Sequence, residues 1–134
     1  MKKIIIIDDS PLVLRTVTEL LTTEGFEVLQ AEDGLAGLDI IKKNRDCDLL
    51  IVDLNMPNMG GFEMLDQMYE EGICLDRPVM IFTTESIVEK ENAHKIREGN
   101  KATGRKTWFL KPLNEERYKN FLDAVNAMLE VGED

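Results

Sequence analysis

Positive charge is scarce in this chain. Its 16 Lys and Arg face 26 Asp and Glu, for a formal net charge of −10. That deficit argues against a general nucleic-acid binder, which needs a basic surface, so no nucleic acid is expected as a partner. Histidine and tryptophan each occur once, as His94 and Trp108. The two cysteines, Cys47 and Cys74, are too few for a disulfide framework and favour a reducing compartment. Long apolar runs are missing too. The longest near the start, Ile4 to Ile7, is too short for a signal peptide or a membrane span. Linkers and low-complexity tracts are also lacking. These absences point to a soluble cytoplasmic domain with no membrane partner.

What remains is a globular balance of 43% hydrophobic and 31% charged residues. The 134 residues suit one domain, 1–134, able to bury a core of its own and with no room for a second module. Ile4 to Ile7 reads as a strand buried on both faces of a parallel sheet. Ser10 then caps a helix with Pro11 at its first position, Leu14, Val17 and Leu21 on its inner face, and Gly25 at its end. The unit repeats. Strands are predicted at Glu27 to Ala31, Leu49 to Val52, Val79 to Phe82 and Trp108 to Leu110. Helices follow with Leu35, Leu38, Ile40 and Ile41; with Phe62, Leu65, Met68 and Tyr69; from Ser86 to about Asn100; and from Asn114 through Tyr118, Phe121, Leu122, Val125, Met128 and Leu129. Five such repeats imply an α/β fold, a five-stranded parallel sheet doubly wound as (βα)5, with right-handed crossovers. The sheet order stays open, the flavodoxin-like one being commonest for five units.

In such sheets the site gathers at the carboxyl ends of the strands. Strand one delivers Asp8 and Asp9, strand three Asp53, strand four Thr83 and strand five Lys111. Three neighbouring carboxylates repel one another unless a cation neutralises them. Oxygen donors without His or Cys argue against zinc and for Mg²⁺, which takes one or two carboxylates plus phosphate oxygens. Lys111 and Thr83 stand ready to hold the other phosphoryl oxygens. The set suits phosphoryl transfer to a carboxylate.

Asp8-Asp9, Asp53-x-Asn55-Met56-Pro57-x-Met59-x-Gly61, Thr83 and Lys111-Pro112 together resemble the receiver domain of bacterial response regulators, over the whole chain and in order. Asn55-Met56-Pro57-Asn58-Met59 and Thr83-Thr84-Glu85-Ser86 are most similar to the single-domain CheY-like chemotaxis regulators. The resemblance implies a flavodoxin-like, CheY-like fold and a two-component phosphoprotein without an output domain. It makes Asp53 the phosphoacceptor, with Asp9 on Mg²⁺ directly, Asp8 mainly through water, and the Asn55 backbone carbonyl as a further ligand. Thr83 would reach the phosphoryl group, Lys111 would pair with it, and the Lys111-Pro112 bond would be cis. Implied partners are a sensor histidine kinase and a downstream protein such as a flagellar switch protein. Phosphorylation would switch the face formed by the fourth helix, fifth strand and fifth helix, either for such a partner or for a phosphorylation-dependent homodimer.

Two features depart from that family. Trp108 stands where a switching Tyr or Phe is usual, and the stretch from Thr83 to Lys111 is longer than in typical receivers. Residues 90–111 carry seven basic and two acidic residues, a local excess of +5 that reads as a solvated face or as an interface for an acidic partner. His94 is expected on the surface, Met64 and Met68 in the core, and Gly60-Gly61 in a turn. Competing readings are a phosphorelay intermediate or phosphate sink, a Mg²⁺-dependent aspartyl-phosphate hydrolase, and a dimerising scaffold. The hydrolase would need an acid/base carboxylate two residues after its nucleophile, where this chain has Asn55.

Overall fold

The computed structural model describes residues 1–74, 76–84 and 106–130. In chain order they form β1 (Lys3–Ile7), α1 (Pro11–Thr23), β2 (Glu27–Ala31), α2 (Gly34–Lys43), β3 (Leu49–Val52), α3 (Gly61–Glu71), β4 (Val79–Thr83) and β5 (Lys106–Leu110). A 3-10 turn, Glu115–Arg117, leads into the C-terminal helix, Tyr118–Glu130. The strands make one parallel sheet in the order β2-β1-β3-β4-β5, the flavodoxin-like arrangement.

Alternation along the strands divides the core in two. Ile5, Ile7, Leu50, Val52 and Ile81 face Leu38 and Ile41 of α2 and Met64, Leu65 and Met68 of α3. Ile4, Ile6, Leu49, Ile51, Met80 and Phe82 face Leu14, Val17 and Leu21 of α1 and Phe121, Val125, Met128 and Leu129 of the C-terminal helix. Each of β1, β3 and β4 is flanked by strands and covered on both faces, which is why their sequences are apolar without interruption.

Local signals hold with adjustments. Ser10 accepts from the Val13 N–H at 3.3 Å, and Pro11 opens α1. Gly25 has φ +93°, a left-handed conformation that favours glycine. β4 includes Thr83, and β5 begins two residues earlier than its apolar run suggests. Asn114 precedes the 3-10 turn and its side chain makes no capping bond. Leu35 and Tyr69, read as parts of apolar stripes, are about half exposed, at 52% and 49%. The expected helix from Ser86 to Asn100, His94 and the basic run from Lys90 to Arg105 lie outside the described residues.

Candidate functional site

Strand register sets the site before any side chain does. Ile7 of β1 pairs with Val52 of β3, so Asp8 and Asp53 leave adjacent strands at the same level. The Asp53 N–H donates to the Ile7 carbonyl at 2.9 Å, and the Asp8 N–H donates to the Ala31 carbonyl at 3.0 Å. Across the sheet Thr83 pairs with Leu110, and the Lys111 N–H donates to the Thr83 carbonyl at 2.8 Å. The ends of β2, β1 and β3 are thereby tied backbone to backbone, as are those of β4 and β5.

The side chains then converge. Carboxylate oxygens of Asp8, Asp9 and Asp53 lie within 4.8 Å of one another. Lys111 Nζ stands 2.7 Å from Asp8 Oδ2 and 3.5 Å from Asp53 Oδ2, and 5.3 Å from the centre of the Phe82 ring. Asp8 Oδ1 accepts from the Ser10 N–H at 2.9 Å, and Asp53 Oδ1 accepts from the Leu54 N–H at 2.9 Å. Asp8, Asp53 and Thr83 are buried, whereas Asp9 is exposed at the rim. Asn55 follows two residues after Asp53 on the exposed loop.

Charge is not balanced here. Burial, followed by the neighbouring Asp8 carboxylate, pushes the Asp53 carboxyl above the ordinary range. The Lys111 ammonium, the Leu54 N–H and a hydrogen bond with Thr83 act in the opposite direction. Three carboxylates against one ammonium leave a negative excess that a small divalent cation would offset. The donors are hard oxygens with an open, exposed side at Asp9, which fits Mg²⁺.

The surrounding backbone is closely fitted. A Cβ at Gly61 would collide with the Asp53 carbonyl oxygen, so glycine is required there for space rather than for a turn. The Lys111–Pro112 peptide bond is cis, as the resemblance implies. Arg117 reaches back to donate to the Leu110 and Pro112 carbonyls and stacks 4.6 Å from the Phe109 ring centre.

The structure thus brings Asp8, Asp9, Asp53, Thr83 and Lys111 together. Trp108 is set apart from them, half-buried opposite Ile81 on the sheet face that packs on α2 and α3. Sequence reasoning missed Asp33 and Asn58, whose side chains meet at 2.8 Å beside the Asp53 loop. The Asp-Gly pair closing β2 was the available signal. It also missed that Cys47 and Cys74 adjoin, with Cys74 held at φ 49° and its thiol directed at the Arg45 carbonyl, 3.6 Å away.

Comparison with known proteins agrees with this geometry. Residues 4–123 match the model of the response regulator receiver domain. A chemotaxis protein CheY homolog of Campylobacter jejuni is 38% identical over 84 residues, which span 62% of this chain and 65% of that protein. Protein PilH of Pseudomonas aeruginosa is 30% identical over 96% of this chain and 98% of its own. The structure of the Vibrio cholerae chemotaxis protein CheY4 superimposes with a TM-score of 0.82 at 29% identity, covering 96% of this chain and 99% of that one. With the carboxylate cluster, the Thr83 and Lys111 ends and the sheet order all in place, this chain belongs to the response regulator receiver domain family.

Proposed function

We propose that this receiver takes a phosphoryl group on Asp53 from a sensor histidine kinase and signals by changing which protein it binds. The observation that carries the reading is the Asp8–Lys111–Asp53 contact, with Thr83 bonded to the same Asp53 carboxylate. In transfer, an Asp53 oxygen forms the O–P bond as the donor's N–P bond breaks, and the bond pair stays on the imidazole nitrogen. The imidazole leaves neutral with one N–H, taken from solvent where the ring lacks it. Lys111 and Thr83 would each donate to a phosphoryl oxygen, and the Leu54 N–H donates to the Asp53 carboxylate at 2.9 Å. Asp8, Asp9, Asp53 and the Asn55 carbonyl would hold Mg²⁺, which when bound supplies charge neutralisation for the incoming anion.

Output follows from the same pieces. A hydroxyl drawn toward the phosphoryl group alters the space beside β5, and Trp108 shares the sheet face of Thr83, whose register partner Leu110 lies two residues further on. PilH and CheY4 are matched over nearly their full lengths, which supports an output by protein contact. Chemotaxis or flagellar-motor control is the first assignment, because CheY proteins are among its relatives. Among the described residues no helix is long and apolar enough to cross a membrane.

Intact mass after incubation with acetyl phosphate or a phosphorylated kinase tests the reading. A species ~80 Da heavier should form with Mg²⁺ and be absent with EDTA. An adduct that persists in Asp53→Ala overturns the assignment. Turnover of a small phosphomonoester with Mg²⁺ would instead favour the hydrolase. A pull-down with and without phosphorylation separates a switch from a phosphate sink.

A further inference from the structure

Asp33 divides its carboxylate between two elements. Oδ1 accepts from the Ala36 N–H of its own helix, α2, at 2.8 Å, while Oδ2 accepts from Asn58 Nδ2 at 2.8 Å. One residue on, the Gly34 N–H donates to the Met59 carbonyl at 2.9 Å. Two bonds therefore run from the start of α2 to the loop between Asp53 and α3, 25 residues away from Asp33 in sequence. The approach is close enough that a Cβ at Gly34 would lie 2.5 Å from the Met59 oxygen. The Ala36 N–H, and next the Asn58 amide, hold the Asp33 carboxyl below its ordinary range, so the bond to Asn58 has an ionised acceptor.

Asn58 keeps its side chain against a backbone preference. Its φ is 68°, in the left-handed region where glycine is favoured and asparagine merely tolerated. The loop is also closed at its ends by the Gly61 N–H on the Leu54 carbonyl at 3.0 Å and tightened within by the Met59 N–H on the Pro57 carbonyl at 2.7 Å. Asn55 lies inside that pinned span, and under the Mg²⁺ reading its backbone carbonyl would be a cation ligand. A carbonyl fixed before the ion arrives spares the ordering cost that binding would otherwise carry.

We propose that Asp33 and Asn58 are positioning residues for the divalent cation, their mutual hydrogen bond setting cation affinity by fixing the loop that carries Asn55. The proposal rests on the Mg²⁺ reading given under Proposed function. It does not place either residue in contact with the ion or the phosphoryl group.

Two substitutions cut the strut while sparing the fold. Asn58→Gly suits the left-handed backbone better than the native residue. Asp33→Ser keeps an oxygen for the helix N-terminus but is too short to reach residue 58. Mg²⁺ is titrated into the full chain by calorimetry, with the thermal midpoint of each variant measured alongside. Each single variant is expected to retain its midpoint and to bind Mg²⁺ about tenfold more weakly, the range seen when groups behind a metal ligand are lost. The double variant should bind no more weakly than the weaker single, because both changes remove one bond. Equal affinity in wild type and both singles overturns the proposal. So does a double variant whose loss is the product of the two single losses, since that reports independent effects such as added glycine flexibility. A wild-type chain that binds no Mg²⁺ overturns the Mg²⁺ reading and this proposal together, whereas wild-type binding with unaltered variants overturns the strut alone.

Discussion

The two ends of the sheet are built on opposite electrostatic terms. At the carboxyl end, Asp8, Asp9 and Asp53 crowd around one ammonium, and Asp53 is pushed away from its charged form. At the amino end the charges and carbonyls meet partners. Lys3 Nζ bonds Asp46 at 3.0 Å and Asn44 at 3.2 Å, while the Lys3 N–H donates to Asp48 at 2.8 Å. Arg77 closes the same end, with Nε 2.6 Å from the Cys47 carbonyl and a guanidinium nitrogen 3.0 Å from the Arg45 carbonyl. One fold thus holds an end whose charges are matched and an end where three carboxylates crowd one ammonium.

The comparison breaks most readily at Arg77. Its removal takes the Arg77 donor from the carbonyl of the buried Cys47 and leaves that of Arg45 with the weak Cys74 thiol. Arg77→Ala is expected to cost about 2–3 kcal/mol, as a lower denaturant midpoint with an unchanged slope. A loss well under 1 kcal/mol would mean that the amino end is solvated rather than clasped.

Cys47 sharpens the same contrast through pH. Burial first, and then Cys74, raises its thiol from 9.0 to about 12. The folded state therefore keeps a proton that the unfolded state releases. The stability this gives is complete below pH 9 and is lost as pH rises from 9 toward 12. Cys47→Ala should flatten that alkaline decline by about 1 kcal/mol at pH 10. In the native chain at pH 8.5, iodoacetamide should modify Cys74 and spare Cys47, and denaturant should abolish the difference. Equal labelling of both in the native state would show that the pocket opens to solvent.

At the crowded end the sign is the same and only the window moves, to acid pH. A carboxyl whose folded value is raised costs stability at neutral pH, and that cost vanishes as pH falls through the raised value toward the ordinary 3.8. Asp53→Asn removes the charge and keeps the shape. It should therefore raise the thermal midpoint in EDTA, by the few degrees that about 1 kcal/mol gives in a domain of this size. Saturating Mg²⁺ should narrow the gap, because it stabilises the wild-type cluster more than the variant. A midpoint lowered by Asp53→Asn in EDTA would show that Lys111 already balances the site.

Much of the crowded end was legible in the chain, because each site residue closes an apolar strand. Ile4–Ile7 before Asp8, Leu49–Val52 before Asp53 and Val79–Phe82 before Thr83 name both the strand and its end. The matched end was not legible. Its contacts join residues such as Lys3 and Asp48, or Arg77 and Arg45, which only the strand order brings together. The same holds for Asp33 with Asn58 and for Cys47 with Cys74. Leu35 and Tyr69 show a different limit, since a helical repeat marks an apolar stripe but not how far the sheet extends beneath it.

Trp108 lies between the two ends, midway along β5 from Lys106 to Leu110, and offers the smallest but most direct reading of their coupling. Its register partner is Ile81, two residues before Thr83, and pleating puts Trp108, Ile81 and Thr83 on one face. If phosphorylation moves the Thr83 hydroxyl from the Asp53 carboxylate onto the phosphoryl group, the packing beside the indole changes while the amino end stays fixed. Only a population shift between existing states is needed, with ~2–5 kcal/mol of preference supplied by the phosphoryl group. Because the chain has a single tryptophan, its emission reports this position alone. Beryllofluoride added after Mg²⁺ saturation should alter the emission by more than Mg²⁺ does, and Thr83→Ala should remove that second change. A change that persists undiminished in Thr83→Ala would mean that the indole senses charge at the site directly, and the Thr83–Trp108 link would be wrong.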